Sequence, residues 1–68
     1  MNIYVGGEDP FVLVSLFATN GSLAYQKQHN IDQGSRKFYV DLSNLSPGTY
    51  MLEIQGATTQ RTVKIVKQ

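Results

Sequence analysis

The sequence predicts an all-β protein, a small antiparallel β-sandwich of six or seven strands with no helix longer than a turn. Val, Ile and Thr supply 15 of the 68 residues, and Phe and Tyr supply seven more; these residue types suit a pleated, half-buried surface. Apolar and polar residues alternate at period two in several segments, and no window has the spacing of an amphipathic helix. Turn residues separate these segments every 8 to 12 residues or so, which is typical of a sandwich.

The strands follow from the apolar pattern. Residues 3–5 form a short first strand, and the apolar run Phe11–Ala18, interrupted only by Ser15, predicts a central strand covered on both faces. Period-two alternation predicts further strands around residues 23–28, 38–42, 50–55 and 62–65. The predicted core contains Ile3, Val5, Val12, Val14, Leu16, Leu23, Tyr25, Val40, Leu42, Tyr50, Leu52, Ile54, Val63 and Ile65.

Turn chemistry lies between these strands. Asn20-Gly21 predicts a type I′ hairpin turn, because both residues tolerate positive φ. Pro47-Gly48 predicts a type II turn, in which Pro fixes φ and Gly accepts the positive φ. Residues 6–10 and 56–59 supply two more breaks. The polar residues 29–36 are expected to be the longest connection and the crossover between the two sheets.

Composition argues against catalysis and against several ligand classes. The chain has no Cys, and His29 has no second His with which to share a metal. The five carboxylates, among them Glu8 and Asp9 in a Gly-rich turn, are expected to be solvated and show no pattern of paired-carboxylate catalysis or of a calcium loop. The net charge of +1 predicts no nucleic-acid partner. We therefore expect no enzyme, cofactor, metal or small-molecule substrate.

Two features near the end of the chain each allow two interpretations. Tyr50 follows a Pro-Gly turn and begins a strand, which favours a tyrosine corner over direct recognition of a partner. Arg61, Lys64 and Lys67 lie within the last eight residues. They indicate a charged edge strand that discourages edge pairing, or alternatively a recognition tail. Lys67 and Gln68 are expected to extend past the last paired residue, and the fold is expected to tolerate their loss.

Outward positions on the predicted strands carry apolar side chains. If alternate residues of Phe11–Ala18 face the core, the others face solvent together with residues from neighbouring strands. We expect a contiguous interaction patch that serves self-association or docking. Its members are Tyr4, Phe11, Leu13, Phe17, Tyr39 and Met51.

The order and spacing of four segments resemble the C-terminal sorting domain of cargo proteins exported by the type IX secretion system of Gram-negative bacteria. The resemblance covers nearly the whole chain, and the Lys-rich end of the sequence coincides with the end of the family. The matching segments are Val14-Ser15-Leu16-Phe17 leading into Asn20-Gly21, then Val40-Asp41-Leu42-Ser43-Asn44-Leu45, Pro47-Gly48-Thr49-Tyr50, and Thr62-Val63-Lys64-Ile65-Val66-Lys67-Gln68.

The resemblance implies an immunoglobulin-like sandwich that directs a cargo through the periplasm and across the outer membrane to the cell surface or the extracellular space. It implies recognition by the type IX secretion translocon and removal by a surface sortase-like peptidase. Residues 1–68 would then be one domain, the C-terminal domain of a larger secreted precursor. The signal residues carried over are Gly48, Tyr50, Lys64, Ile65, Val66, Lys67 and Gln68.

Two other classes of sandwich remain open on the sequence. A fibronectin type III-like adhesion or spacer module has a Leu-x-Pro-Gly-x-x-Tyr corner close to the one here, although 68 residues is short for that fold and the chain has no Trp. A carbohydrate-binding sandwich would use an exposed aromatic platform, for which Trp is again missing. The position of the segment in its protein separates these classes, because a sorting signal requires Gln68 to be the natural C-terminus.

Overall fold

The computed structural model describes all 68 residues and confirms an all-β fold of six strands. No helix is present, so none could cross a bilayer. The short strands are β1 (Asn2–Tyr4) and β4 (Lys37–Tyr39). The four long strands have eight residues each: β2 (Phe11–Ala18), β3 (Leu23–Asn30), β5 (Gly48–Gln55) and β6 (Gln60–Lys67).

The strands form two antiparallel sheets. The small sheet pairs β1 with β4, and the large sheet has the strand order β3-β2-β5-β6. β2 and β5 are therefore the inner strands of the large sheet, as predicted for β2, and β3 and β6 are its edges. The two sheets share one hydrophobic core and form a small immunoglobulin-like β-sandwich.

The core consists of the inward positions of both sheets. Its ten buried residues are Val5, Val12, Val14, Leu16, Ile31, Phe38, Val40, Tyr50, Leu52 and Ile54. Five predicted core residues are only half-buried against this cluster: Ile3, Tyr25, Leu42, Val63 and Ile65. Ile31 and Phe38 are core residues that the predicted set left out. The inner faces of β2 and β5 are thus covered most completely.

Leu23 is a wrong prediction, since it is 52% exposed. The pairing of β2 with β3 shifts after Leu16, which lies opposite Tyr25, so that Phe17 lies opposite Leu23. The extra residue on β3, Ala24, reverses the alternation at this point. Tyr25 therefore lies on the inner face and Leu23 on the outer face.

The outer face of β2 is open, which contradicts the expectation of a strand covered on both sides. Phe11 and Leu13 are 48% and 37% exposed, whereas Val12 and Val14 are fully buried. An apolar run thus indicated the central position of β2 correctly, although nothing in the sandwich packs on its second face.

Two of the predicted turn types differ from the structure. Among residues 19–21 only Gly21 has positive φ (87°). The Gly21 amide donates to Ala18, whose own amide donates to the Ser22 carbonyl. These contacts define a three-residue hairpin loop with Gly in the left-handed position instead of a type I′ turn. The φ of Gly48 is 156°, far from the roughly +80° of a type II turn; this residue instead begins β5.

The crossover from the large to the small sheet runs through residues 31–36, within the predicted segment. It is not the longest connection, because residues 40–47 between β4 and β5 form a longer one. The Asp32 carboxylate accepts hydrogen bonds from the Gly34 amide and the Ser35 hydroxyl. The hydrogen bond from the Ser35 side chain lowers the pKa of Asp32 most strongly, and the hydrogen bond from the Gly34 amide lowers it further.

Candidate functional site

The segment 41–46 and the start of β5 form a tyrosine corner, as predicted. The Tyr50 hydroxyl donates a hydrogen bond of 2.6 Å to the Ser46 carbonyl, and the side chain is only 7% exposed. Asp41 organises the beginning of the same loop by accepting from the Ser43 amide at 2.9 Å. Hydrogen bonding by Ser43, and more weakly the positive charges of the N-terminus and Lys67, lower the pKa of Asp41.

Lys67 is bound to this loop, which contradicts the expectation of a frayed end. Lys67 belongs to β6 and is paired with Gly48. Its Nζ donates to the carbonyl oxygens of Leu42 at 2.6 Å and Leu45 at 2.5 Å. We call these two contacts the Lys67 clasp. Only Gln68 lies beyond the last paired residue, so the loss of Lys67 would remove structure from the sandwich.

The predicted signal residues divide between the two faces of the large sheet. Ile65 lies opposite buried Tyr50, and Lys67 lies opposite Gly48, which places all four on the inner side. Lys64, Val66 and Gln68 are exposed. Among the predicted signal residues of β6, those whose side chains a partner could touch in the folded domain are therefore Lys64 and Val66.

Cross-strand register joins these exposed positions to part of the predicted interaction patch. Leu23 lies beside Phe17, Phe17 beside Met51, and Met51 beside Lys64. Val66 follows two residues after Lys64 on the same face and is 62% exposed. We call these five residues the outer row. It crosses all four strands of the large sheet and carries a single charge, so it is an apolar surface with one ammonium group.

The remaining patch residues lie elsewhere, so the predicted patch is not one contiguous surface. Tyr4 and Tyr39 are 63% and 61% exposed on β1 and β4 of the small sheet. Phe11 and Leu13 share the outer face of β2 with Phe17, but Ser15 lies between them and the outer row. Period-two patterns gave the outward positions correctly but contained no information on which sheet each strand joins.

A polar band separates the outer row from Phe11 and Leu13. It is held together by hydrogen bonds from Gln26 Nε2 to Ser15 Oγ at 3.1 Å and from Gln55 Nε2 to Glu53 Oε1 at 2.9 Å. An apolar ligand gains less by covering these polar groups than by covering the apolar side chains of the outer row. The band therefore sets a boundary for the outer row.

Asp9 was expected to be solvated and is instead buried, with 4% exposure. Its carboxylate accepts a hydrogen bond of 2.8 Å from the Thr58 hydroxyl and one of 3.1 Å from the Thr58 amide. Hydrogen bonding to the Thr59 side chain lowers the pKa of Asp9 most strongly. Hydrogen bonding to Thr58 lowers this pKa further. The carboxylate also occupies the space beside Gly56, where a Cβ would lie 2.5 Å from Asp9 Oδ2. Asp9 therefore ties the β1–β2 connection to the β5–β6 turn.

His29 and Tyr25 form a polar pair on the inner side of β3. Tyr25 Oη and His29 Nε2 are 2.6 Å apart, and the His29 ring lies 5.1 Å from that of Phe38. Burial lowers the pKa of His29 and raises that of Tyr25. No three His, Asp or Glu side chains lie close enough together to hold a metal ion. This pair is a part of the packing that sequence reasoning did not find.

The architecture defines a class of small immunoglobulin-like sandwich whose last strand is fastened to the loop before β5. The chain belongs to the family of secretion system C-terminal sorting domains, whose model matches residues 1–68. No curated protein and no solved structure matches it. Family membership confirms the resemblance drawn from the sequence, and nothing favours a fibronectin type III-like module.

The domain is therefore a sorting signal for type IX secretion. It directs export across the outer membrane to the cell surface or the extracellular space, and the type IX secretion machinery recognises it. The family is one of sorting signals and is not known for enzymatic activity.

Proposed function

We propose that the secretion machinery reads this signal from the folded domain, through the outer row, and not from a flexible tail. The observation that carries the proposal is the Lys67 clasp, which holds the end of β6 in the sandwich. With β6 held in this way, Lys64 has a fixed position beside Met51, and Val66 has one beside Thr49. A pre-organised surface of this kind binds with a smaller entropic cost than a disordered tail.

The chemistry of the outer row indicates the kind of translocon surface that it fits. Met51, Leu23 and Val66 are 40%, 52% and 62% exposed, so an apolar counterpart would remove them from water. The Lys64 ammonium favours a carboxylate at the rim of that counterpart. Flexible Met side chains adapt to several apolar partners, which suits a machinery that exports many cargo proteins.

The other predicted signal residues then act through structure. Tyr50 holds the 41–46 loop, Lys67 fastens β6 to it, Gly48 is paired with Lys67, and Ile65 packs against the core. Their substitution would disturb export by moving Lys64 and Val66. Gln68 lies beyond the clasp and contributes its exposed side chain to the surface that the machinery meets.

The same proposal covers the remaining expectations about the precursor. Residues 1–68 serve as the C-terminal domain of a larger secreted precursor, without catalytic activity of their own. The translocon binds the domain, a surface sortase-like peptidase removes it, and the cargo becomes attached to anionic lipopolysaccharide. Membership of the family of secretion system C-terminal sorting domains supports this proposal.

Self-association is a second use of the exposed apolar residues. The outer row could pair two domains face to face while the translocon is absent. Sedimentation of the purified domain over a wide concentration range tests this. We expect the apparent mass to increase with concentration, and we expect Met51→Ser to abolish this increase. A monomer at every concentration would restrict the row to docking on the machinery.

A reporter carrying a secretory signal and this domain at its C-terminus tests the proposal. Deletion of residues 64–68 is expected to abolish surface display, but it also removes the Lys67 clasp. The sharper variant is therefore Met51→Ser, which leaves the clasp and the tyrosine corner intact. We expect a folded domain with the reporter retained in the periplasm; display equal to the unmodified fusion would contradict the proposal.

A further inference from the structure

The small sheet leaves part of the large sheet uncovered. The two strands of the small sheet pack against the four strands of the large sheet. They cover mainly β2 and β5, whose inward side chains are buried. On β6, by contrast, the inward Val63 and Ile65 are only half-buried and Arg61 is exposed. The result is an open groove of about 380 Å³ between β1 and the inner face of β5 and β6. We call it the β1 groove.

The walls of the β1 groove are apolar apart from one end. Ile3 and Tyr4 of β1 form one side, and Leu52, Val63 and Ile65 form the floor. The volume is within the roughly 300–1,000 Å³ of clefts that hold ligands. Arg61 has the only charged side chain of the lining. An occupant with apolar side chains and one carboxylate would match these walls.

The edge of β1 beside the groove also offers unpaired backbone groups. Met1 and Val40 exchange both of their backbone hydrogen bonds, and the Val5 amide donates to Arg36. Since alternate residues of an antiparallel strand face alternate neighbours, the N–H and C=O groups of Asn2 and Tyr4 point away from β4. They are free to pair with one more strand.

We propose that the β1 groove accepts an extended segment of a secretion-machinery protein as a third strand of the small sheet. This inference rests on the proposed function and adds a second contact to the outer row. The segment pairs with Asn2 and Tyr4, places alternate apolar side chains on Val63 and Ile65, and sets an acidic residue against Arg61. Strand addition of this kind combines main-chain affinity with side-chain specificity.

A second copy of this domain fits the groove poorly. Antiparallel pairing of β1 with the β1 of another copy would bring two large sheets side by side. Because the inner face of β6 lies open beside β1, the β6 strands of both copies would need the same space. The groove therefore suits a single extended segment that has no second sheet packed against it.

Photo-crosslinking in secreting cells tests the proposal on the exported fusion. A benzophenone amino acid replaces Tyr4 at the groove, and in a matched control it replaces Tyr39, which is equally aromatic and similarly exposed on the neighbouring strand. We expect a Tyr4 adduct, absent at Tyr39, whose mapped peptide is an extended segment of a secretion-machinery protein with an acidic residue. An adduct with the cargo's own chain or with a second copy, or no adduct above the control, would overturn the proposal.

Two pairs of variants in the same crosslinking fusion separate strand addition from simple proximity. Asn2→Pro removes an N–H that β4 does not use, and proline is tolerated on edge strands, whereas Asn2→Thr keeps that N–H. Arg61→Glu reverses the charge, whereas Arg61→Lys keeps it. We expect the adduct to fall about tenfold in Asn2→Pro and Arg61→Glu only, a difference of roughly 1.4 kcal/mol in binding. Unchanged adduct yield in both, with folded domains, would overturn the proposal.

Export and crosslinking fail in distinguishable ways. If the unmodified fusion and Met51→Ser are displayed equally, recognition through the outer row is wrong. If Met51→Ser is retained in the periplasm while the Tyr4 position gives no machinery adduct, only the groove proposal is wrong.

Discussion

The ammonium group of Lys67 donates a hydrogen bond to the Leu42 carbonyl oxygen across 2.6 Å, and this contact fastens the last strand to the loop that precedes β5. The same ammonium group donates to Leu45. The end of β6 and the tyrosine-corner loop are consequently joined by direct hydrogen bonds.

Replacement of Lys67 by Met should destabilise the domain by roughly 1–2 kcal/mol, because two hydrogen bonds from a charged donor are lost. Lys64→Met removes an exposed ammonium group without such bonds and should change stability by less than about 0.5 kcal/mol. Urea denaturation of both variants measures the difference. Equal midpoints would show that the clasp does not form in solution.

Tyr50→Phe should cost about 1 kcal/mol, since it deletes the hydroxyl that donates to Ser46 at 2.6 Å while keeping the buried ring. Tyr39→Phe is the matched control, because the Tyr39 hydroxyl belongs to an exposed side chain. Thermal unfolding measures the stability of the two variants. A loss of stability as large in Tyr39→Phe as in Tyr50→Phe would show that the hydrogen bond of the tyrosine corner does not stabilise the domain.

Gly56→Ala should destabilise the domain by about 1–3 kcal/mol. The added Cβ would lie 2.5 Å from Asp9 Oδ2 and 3.1 Å from Val12 Cγ1, so the Asp9 carboxylate must leave Thr58. Gly6→Ala meets no atom within 4 Å and should be neutral or slightly stabilising. If Gly56→Ala unfolds at the same urea concentration as Gly6→Ala, the close packing of Asp9 is wrong.

Acid should destabilise the domain through Asp9. Hydrogen bonding to Thr59 and Thr58 lowers its folded-state pKa below the ordinary value of 3.8. The contribution of the Asp9 carboxylate to the free energy of unfolding is therefore complete above pH 3.8. It is lost as the pH falls through the lower pKa of the folded state. Asp9→Asn should be less stable than the unmodified domain at pH 6, and the difference in their free energies of unfolding should narrow at pH 2 to 3. A gap independent of pH would mean that the carboxylate charge contributes nothing.

The alternation of side chains predicted most of the fold, because each long strand has one face that is more buried than the other. Tyr50 was assigned correctly for the same reason, since its corner is formed within four residues of the sequence. Contacts between distant segments were missed. Asp9 meets Thr58 across 49 positions, and Lys67 meets Leu42 across 25, and nothing in the local pattern indicates either contact.

The candidate site shows the same division. Lys64 and Met51 were both selected from the sequence, as a signal residue and a patch residue, but their adjacency depends on the pairing of β5 with β6. Leu23 was assigned to the core because a single bulged residue, Ala24, is invisible to a period-two pattern. The β1 groove arises from two sheets of unequal width, which becomes apparent only when strands are assigned to sheets.

Surface display of the reporter fusion with Lys64→Glu, compared with Lys27→Glu, tests most directly whether the folded outer row is the signal. Both substitutions change the net charge equally and both sites are exposed, but Lys27 lies on β3, outside the row. We expect both domains to fold, Lys27→Glu to be displayed normally, and Lys64→Glu to be displayed about tenfold less, equivalent to roughly 1.4 kcal/mol of recognition. Equal display of the two folded variants would contradict recognition through the outer row.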